Sequence, residues 1–214
     1  LVAGRRHAET LMPAIETLCV RAGLQPRDLE GVAVDVGPGL FTGLRVGLAA
    51  ARAMSAALGV PAAGVTSLEA LAYPHRRRPG LVASVVDARR AEVYWALYRG
   101  YGQGAQVALK APAVGDPEEV AETLAGQSRA HREKILAIGD GAWRYAEVFE
   151  SRGLAVSGPD ERWPSPLAVA ELGLARIAAA GPVGLPPPAP LYLRQADVRV
   201  GWESVSGRTV EQSG

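Results

Sequence analysis

Residues 29–45 read LEGVAVDVGPGLFTGLR, and this stretch determines the fold that we expect. Residues 29–36 are short and apolar enough for a buried β-strand. A glycine-rich turn follows, and the helix predicted over residues 42–58 ends at Gly59 and Pro61. A strand, a glycine turn and a helix in this order indicate an α/β fold.

The turn at Gly37, Pro38 and Gly39 allows two interpretations. Backbone amides and the helix dipole at a helix N-terminus can bind an anion, although neither the P-loop spacing nor the dinucleotide fingerprint occurs here. The alternative is a tight structural turn, at which Gly39 and Gly43 let helix and sheet approach closely. The pattern favours the structural turn.

The segments on either side of this stretch extend the α/β pattern. A helix is predicted over residues 7–22, with Pro13 in its tolerant first turn and Cys19 packed on its apolar stripe. A short strand is predicted over residues 62–65, followed by a helix that Thr66 or Ser67 caps.

The second part of the chain changes towards antiparallel strands after residues 73–79, which we interpret as a solvated linker and domain boundary. The predicted elements are a hairpin of strands 81–87 and 92–99 joined by residues 88–91, a turn over 100–104, a strand 106–110, a helix from Asp116 to about 124, a strand 135–138, a helix to about 152 and a helix 165–180. This order predicts a mixed sheet flanked by helices.

The composition is that of a globular protein, with 214 residues, 48% hydrophobic residues and a formal net charge of +1. A single cysteine excludes an internal disulfide and fits a reducing compartment. No apolar run is long enough for a membrane span, and no signal peptide opens the sequence. We therefore expect a cytoplasmic protein. Because the first residue is Leu1, we also expect the sequence to start partway into the natural chain.

Few residues indicate catalysis. The histidines at positions 7, 75 and 131 are too scattered for a local metal motif. Asp87 is expected to form an ion pair in the hairpin with Arg89 or Arg90, and Asp140 to cap a turn and a helix. No nucleophile elbow occurs. The sequence predicts no catalytic, cofactor-binding or metal-binding residue.

Small residues recur on the helix after the glycine turn. Gly43, Gly47 and Ala51 are spaced by four, so they share one helix face. A face of this kind lets a second helix pack closely. That helix belongs either to the same chain or to another chain.

Two segments carry a family resemblance. Residues 37–45, GPGLFTGLR, and residues 60–72, VPAAGVTSLEALA, strongly resemble the TsaB (YeaZ) family. Supporting segments are RRHAE at 5–9, Asp-Ala-Arg at 87–89 with Val-Tyr at 93–94, and PLYLR at 190–194. The resemblance covers nearly the whole chain.

The resemblance implies an α/β fold of the actin/Hsp70-like class, built from two ribonuclease-H-like halves. We expect residues 1–75 to form the N-terminal half with the dimerisation helices and residues 76–214 to form the C-terminal half. The family begins with three strands, and we expect them to precede this sequence. The implied partner interface comprises Leu11, Ile15, Thr42, Gly43, Val46, Gly47, Ala50, Ala51 and Met54.

The resemblance also implies a function. Members of the family act as non-catalytic scaffolds for TsaD, which transfers a threonylcarbamoyl group to the tRNA adenosine next to the anticodon. The implied partners are a second copy of the chain, TsaD and TsaE, with tRNA bound through the complex. This chain alone is expected to bind no cofactor, whereas the complex uses ATP, Mg²⁺ and a metal held by TsaD.

A comparison with the TsaD paralogue separates the scaffold from the enzyme. In TsaD, two metal-binding histidines four residues apart stand where this chain has Ser67 and Leu71. A leucine cannot coordinate a metal. Two alternatives stay open: a metal- or nucleotide-dependent enzyme of the same superfamily, glycoprotease-like or phosphotransferase, and a self-associating binding module unrelated to tRNA.

Overall fold

The computed structural model describes residues 7–100, 106–181 and 184–194. Its strands are β1 (Val32–Asp35), β2 (Ala62–Val65), β3 (Leu81–Arg89), β4 (Glu92–Gly100), β5 (Gln106–Gly115), β6 (Ile135–Ile138) and β7 (Ala155–Val156). Its α-helices are α1 (His7–Arg21), α2 (Phe41–Leu58), α3 (Ser67–Ala72), α4 (Pro117–His131), α5 (Asp140–Arg144), α6 (Ala146–Ser151) and α7 (Pro166–Ala180). Short 3-10 turns lie at Pro26–Asp28, Tyr73–His75 and Pro159–Glu161. Arg5, Arg6 and most of the turn predicted over 100–104 lie outside the described residues.

The described strands form two sheets. β1 and β2 pair in parallel, and the larger sheet has the order β5-β4-β3-β6-β7. In the larger sheet β3, β4 and β5 pair antiparallel, whereas β6 pairs in parallel with β3 and β7. The α/β fold with a mixed sheet that the sequence predicts is thus confirmed. No helix in the described part of the chain is both long and apolar enough to cross a bilayer.

Successive side chains of a strand point to opposite sides of a sheet, and in the five-stranded sheet the side chains on both sides are buried. Leu81 and Val85 of β3 pack with Phe149 in one core cluster. Val82, on the other face, packs with Leu68 of α3 in a second cluster. β3 therefore lies at the centre of the larger unit.

Helix α7 packs against β1 and β2, although it follows the five-stranded sheet in sequence. Gly173 makes this close contact possible, since a β-carbon added there would overlap the β-carbon of Ala33. Arg176 of the same helix donates hydrogen bonds to the Gly64 carbonyl of β2 and to the Glu69 carboxylate of α3. The smaller sheet is thereby covered by α7, the last helix of the described residues.

Several predictions from local sequence are confirmed. Gly59 ends α2 in the left-handed conformation, with φ of 67°. Thr66 caps α3, accepting a hydrogen bond from the Glu69 amide at 3.1 Å while the Glu69 carboxylate accepts one from the Thr66 amide. Asp116 caps α4 ahead of Pro117, but that helix continues to His131 instead of ending near residue 124.

Other predicted boundaries were wrong. Pro13 lies inside α1, beyond its first turn. The strand predicted over 29–36 is shorter in the structure, where β1 covers only Val32–Asp35 and its residues are half-buried. The helix predicted to follow Gly141 and run to about residue 152 is interrupted at Tyr145, between α5 and α6. The connection of the hairpin is shorter than predicted, since β3 extends through Arg89.

Residues 73–79 are also less solvated than predicted. They begin with a 3-10 turn, and the Arg76 guanidinium lies 4.0 Å from the centre of the Tyr73 ring. Arg76 also forms an ion pair with Glu171 of α7, at 3.5 Å. This segment packs against α7 and is not a freely solvated linker.

The segment at residues 184–194 connects distant elements. Arg52 of α2 donates two hydrogen bonds to the carbonyl of the buried Pro188, and the Leu191 amide donates to the Val36 carbonyl at 2.8 Å. Arg194 then pairs with Glu92 at the start of β4. The segment links the smaller sheet to the hairpin of the larger one.

We predict that Gly173→Ala destabilises the fold, because the added methyl group forces α7 away from β1. Overpacking of this kind costs about 1–3 kcal/mol, which outweighs a gain in helix propensity of roughly 1 kcal/mol. Urea unfolding measures the change. Gly126→Ala in α4 is the matched control, since its added β-carbon has ordinary space and should stabilise the protein. Equal stabilisation by both substitutions would contradict the close packing of α7.

Candidate functional site

An apolar groove lies between α1, α2 and the strand β1. Its volume is about 410 Å³. It brings together most of the predicted interface residues, namely Leu11, Ile15, Gly43, Gly47, Ala50, Ala51 and Met54. Thr42 and Val46 lie on α2 but do not line the groove.

The residues on α2 differ in how accessible they are. Gly43 is exposed, and a β-carbon added there would meet no atom within 4 Å among the described residues. A β-carbon added at Gly47 would lie 3.8 Å from a methyl group of Val34, which is an ordinary contact. Ala51 is only 4% exposed and belongs to the core. The accessible part of the small-residue face is therefore its N-terminal end, and Ala51 lies beneath the surface.

The conformation of the glycine turn is fixed at Gly37, by a positive φ angle and by hydrogen bonds to Asp35 and Ser67. Gly37 has φ of 92°, a conformation that favours glycine. Its amide donates to the Asp35 carboxylate at 2.7 Å, and its carbonyl accepts from the Ser67 amide at 2.9 Å. Gly37 is thus the glycine that the turn requires. The predicted close approach at Gly39 and Gly43 was wrong, because an added β-carbon would lie within 4 Å of no atom in the part of the chain that the structure describes.

Asp35 is a half-buried acid next to the glycine turn. The Ser67 hydroxyl lies 2.7 and 2.8 Å from its two carboxylate oxygens. Burial raises the pKa of Asp35, although the hydrogen bonds from Gly37 and Ser67 act in the opposite direction. Sequence reasoning missed this residue as a site, because an aspartate that ends a strand gives no local signal of what it will meet.

A second cavity of about 260 Å³ lies between the glycine turn and the end of the larger sheet. Asp35 and Ser67 contribute from one side, and Asp87 and Asp140 from the other. The predicted ion pair between Asp87 and Arg89 is confirmed, at 3.2 Å. The cavity is thus lined by three carboxylates among mainly apolar residues.

The sequence predicts Asp140 as a turn and helix cap, which is wrong for the helix, because the N-cap of α5 is Gly139. Asp140 is the first residue of α5, and its carboxylate accepts a hydrogen bond from the Asp87 amide at 3.0 Å. This bond joins α5 to the end of β3, across 53 residues of sequence. Burial raises the pKa of Asp140, and the nearby negative charge of Asp87 adds to the effect.

The two positions where TsaD is expected to hold a metal have other roles here. The Ser67 hydroxyl donates a hydrogen bond to Asp35. Leu71 is 4% exposed and packs in the core between α3 and the larger sheet. Within residues 7–100, 106–181 and 184–194, no three His, Cys, Asp or Glu side chains lie close enough together to hold a metal ion.

We predict opposite effects for two substitutions of Asp35. Asn can accept the same hydrogen bonds without a charge, so Asp35→Asn should match or exceed wild-type stability at neutral pH. Ala leaves the donors of Gly37 and Ser67 without an acceptor, which should cost about 1–3 kcal/mol. Urea unfolding at neutral pH compares the variants.

The pH dependence gives a second check on the same carboxyl. Because the pKa of Asp35 is raised in the folded state, the native protein binds a proton more readily than the unfolded chain. Wild-type stability should therefore fall, relative to Asp35→Asn, as the pH rises from about 4, near the unfolded pKa. A relative gain of wild-type stability with rising pH would contradict the effect of burial.

Comparisons with known proteins agree with this architecture. The sequence model of a family described as "TsaD: tRNA N6-adenosine threonylcarbamoyltransferase" matches residues 1–150. An uncharacterized protein of Mycobacterium leprae is 45% identical over 58% of this chain, which spans 34% of that relative's length. An uncharacterized protein of Mycobacterium tuberculosis is 36% identical over 92% of this chain and 80% of its own length.

Two further relatives are named members of a family. The tRNA threonylcarbamoyladenosine biosynthesis protein TsaB of Bacillus subtilis is 30% identical over 92% of this chain and 84% of its own length. The structure of YeaZ from Pseudomonas aeruginosa matches with a TM-score of 0.73 and 30% identity, covering 90% of this chain and 87% of that chain. Sequence and fold therefore lead to one conclusion: this chain belongs to the TsaB (YeaZ) family.

Proposed function

We propose that this chain is a non-catalytic scaffold subunit that supports TsaD in transferring a threonylcarbamoyl group to the tRNA adenosine next to the anticodon. The proposal rests on membership of a family whose Bacillus subtilis member is named for threonylcarbamoyladenosine biosynthesis. One observation carries the non-catalytic role. Where TsaD is expected to have metal-binding histidines, this chain has Ser67, bonded to Asp35, and the core residue Leu71.

The proposed partners dock on the face formed by α1 and α2. This face includes the groove of about 410 Å³ and apolar side chains that are exposed in the single chain, such as Met12, Leu18 and Val20 of α1. Exposed apolar surface next to small residues favours close helix packing with a second chain. In this proposal a second copy and TsaD compete for the same face, and TsaE joins the complex with TsaD.

The proposal also includes an actin/Hsp70-like arrangement of two ribonuclease-H-like halves, residues 1–75 and 76–214, with α7 packing back on the first half. The chain itself contributes no metal or nucleotide. ATP, Mg²⁺ and a metal bound to TsaD belong to the assembled complex, which works on tRNA in the cytoplasm.

We predict that Gly43→Arg prevents association with TsaD and self-association without unfolding the chain. The position is exposed and open, so the fold tolerates the side chain, whereas an interface would bury an unpaired charge. Burying such a charge should weaken the complex by about 100-fold or more. Light scattering after size exclusion measures the oligomeric state, and co-purification measures TsaD binding.

Ala56→Arg is the matched control. Ala56 is exposed on the same helix, but thirteen residues from Gly43, which places it about 140° around the helix axis. It should leave both associations intact. Equal loss from both variants would contradict the proposed face, and ATP turnover by the isolated chain with Mg²⁺ would contradict the non-catalytic role.

A further inference from the structure

The tip of the β3–β4 hairpin has an unusual backbone. Arg89, Arg90 and Ala91 have φ of 62°, 56° and 58°, so three successive residues with side chains adopt the left-handed conformation. Turns of this hand ordinarily use glycine or asparagine. Strained positions of this kind often mark functional sites. Arg89 and Arg90 are both exposed at this tip.

The charge that faces outward from this tip is positive. Asp87 lies underneath with a side chain only 5% exposed, and it accepts hydrogen bonds from Arg89 at 3.2 Å and from Arg144 at 3.3 Å. The two arginine side chains are themselves 60% and 56% exposed. Glu161, also in this region, is paired with His75 at 3.1 Å. One buried carboxylate thus orients two guanidinium groups towards solvent.

Two tryptophans lie beside these arginines. Trp143 and Trp163 are both exposed, Trp163 to 66%. The Arg162 guanidinium stacks over the Trp143 ring, 4.6 Å from its centre. Arg89, Arg162 and Trp163 line the same cavity. We call Arg89, Trp143, Arg144, Arg162 and Trp163 together the hairpin platform.

We propose that the hairpin platform binds a single-stranded segment of RNA. Exposed aromatic rings give unpaired bases a stacking surface, and arginines add stacking and phosphate contacts. Arg89, Arg162 and Trp163 offer both along one cavity, which the carboxylates of Asp35, Asp87 and Asp140 also line. This inference rests on the proposed function, in which the RNA is tRNA, but it assigns the contact to the hairpin platform, whose cavity borders the α1–α2 groove at Gly43 and Leu44.

The test measures RNA binding by the intact chain. The probes are a fluorescein-labelled single-stranded RNA of about ten nucleotides, near one site size for single-strand binding folds, an unmodified tRNA transcript and a blunt RNA duplex. Fluorescence polarisation gives Kd at several salt concentrations. The single strand and the tRNA should bind, and the duplex should bind more weakly.

Two variants and two controls locate the contact. Trp163→Ala should weaken single-strand binding about 5- to 100-fold through lost stacking. Arg89→Ala should lower the slope of log Kd against log salt by about 0.7, the value for one phosphate contact on a single strand. Leu174→Ala and Arg129→Ala, at other exposed positions, should leave both quantities unchanged.

Three results would overturn the inference. The first is no RNA binding by the wild type up to about 100 µM, the weak end of the Kd range for phosphate contacts, and the second is an equal loss of binding in the control variants. The third is a Trp163→Ala variant that keeps RNA binding but loses TsaD binding, which would make the platform a protein contact. Co-purification of TsaD with the wild-type chain is measured separately. Its failure would reject the proposed scaffold role whatever the RNA result, so the two failures are distinguishable.

Discussion

At the end of β1, the Asp35 carboxylate accepts hydrogen bonds from the Gly37 amide and the Ser67 hydroxyl. These bonds fix the direction in which the chain leaves the strand, and therefore where α2 begins. They also attach the start of α3 to the same point. The α2 face and the cavity beside the hairpin both depend on this junction, because it fixes the glycine turn that lies between them.

The junction extends to the larger sheet through α3. Its Leu68 carbonyl accepts a hydrogen bond from the buried Ser84 hydroxyl of β3, at 2.7 Å. On its other side Glu69 pairs with Arg176 of α7, and the hydrogen bonds from Thr66 and Arg176 outweigh burial and lower the pKa of the Glu69 carboxyl. α3 thus connects the two sheets through hydrogen bonds on both of its sides.

The sequence predicted the parts of this fold that depend on neighbouring residues. The stop at Gly59, the cap at Thr66 and the antiparallel hairpin follow from local chemistry, and all three are present. What it missed depends on long-range contacts. The hydrogen bond from the Asp87 amide to Asp140 and the close packing of Gly173 on β1 join residues that only the folded chain brings together.

The candidate sites follow the same division. Helical spacing placed the small residues of α2 on one face, but spacing alone could not separate exposed Gly43 from buried Ala51, since the packing of α2 on β1 decides that. Ser67 illustrates the reverse case. As a missing metal ligand, Ser67 indicates a lost activity. In the fold, its hydroxyl also donates a hydrogen bond to the half-buried Asp35 carboxylate. Under the scaffold proposal, a position freed from metal binding now stabilises the turn on which the partner face depends.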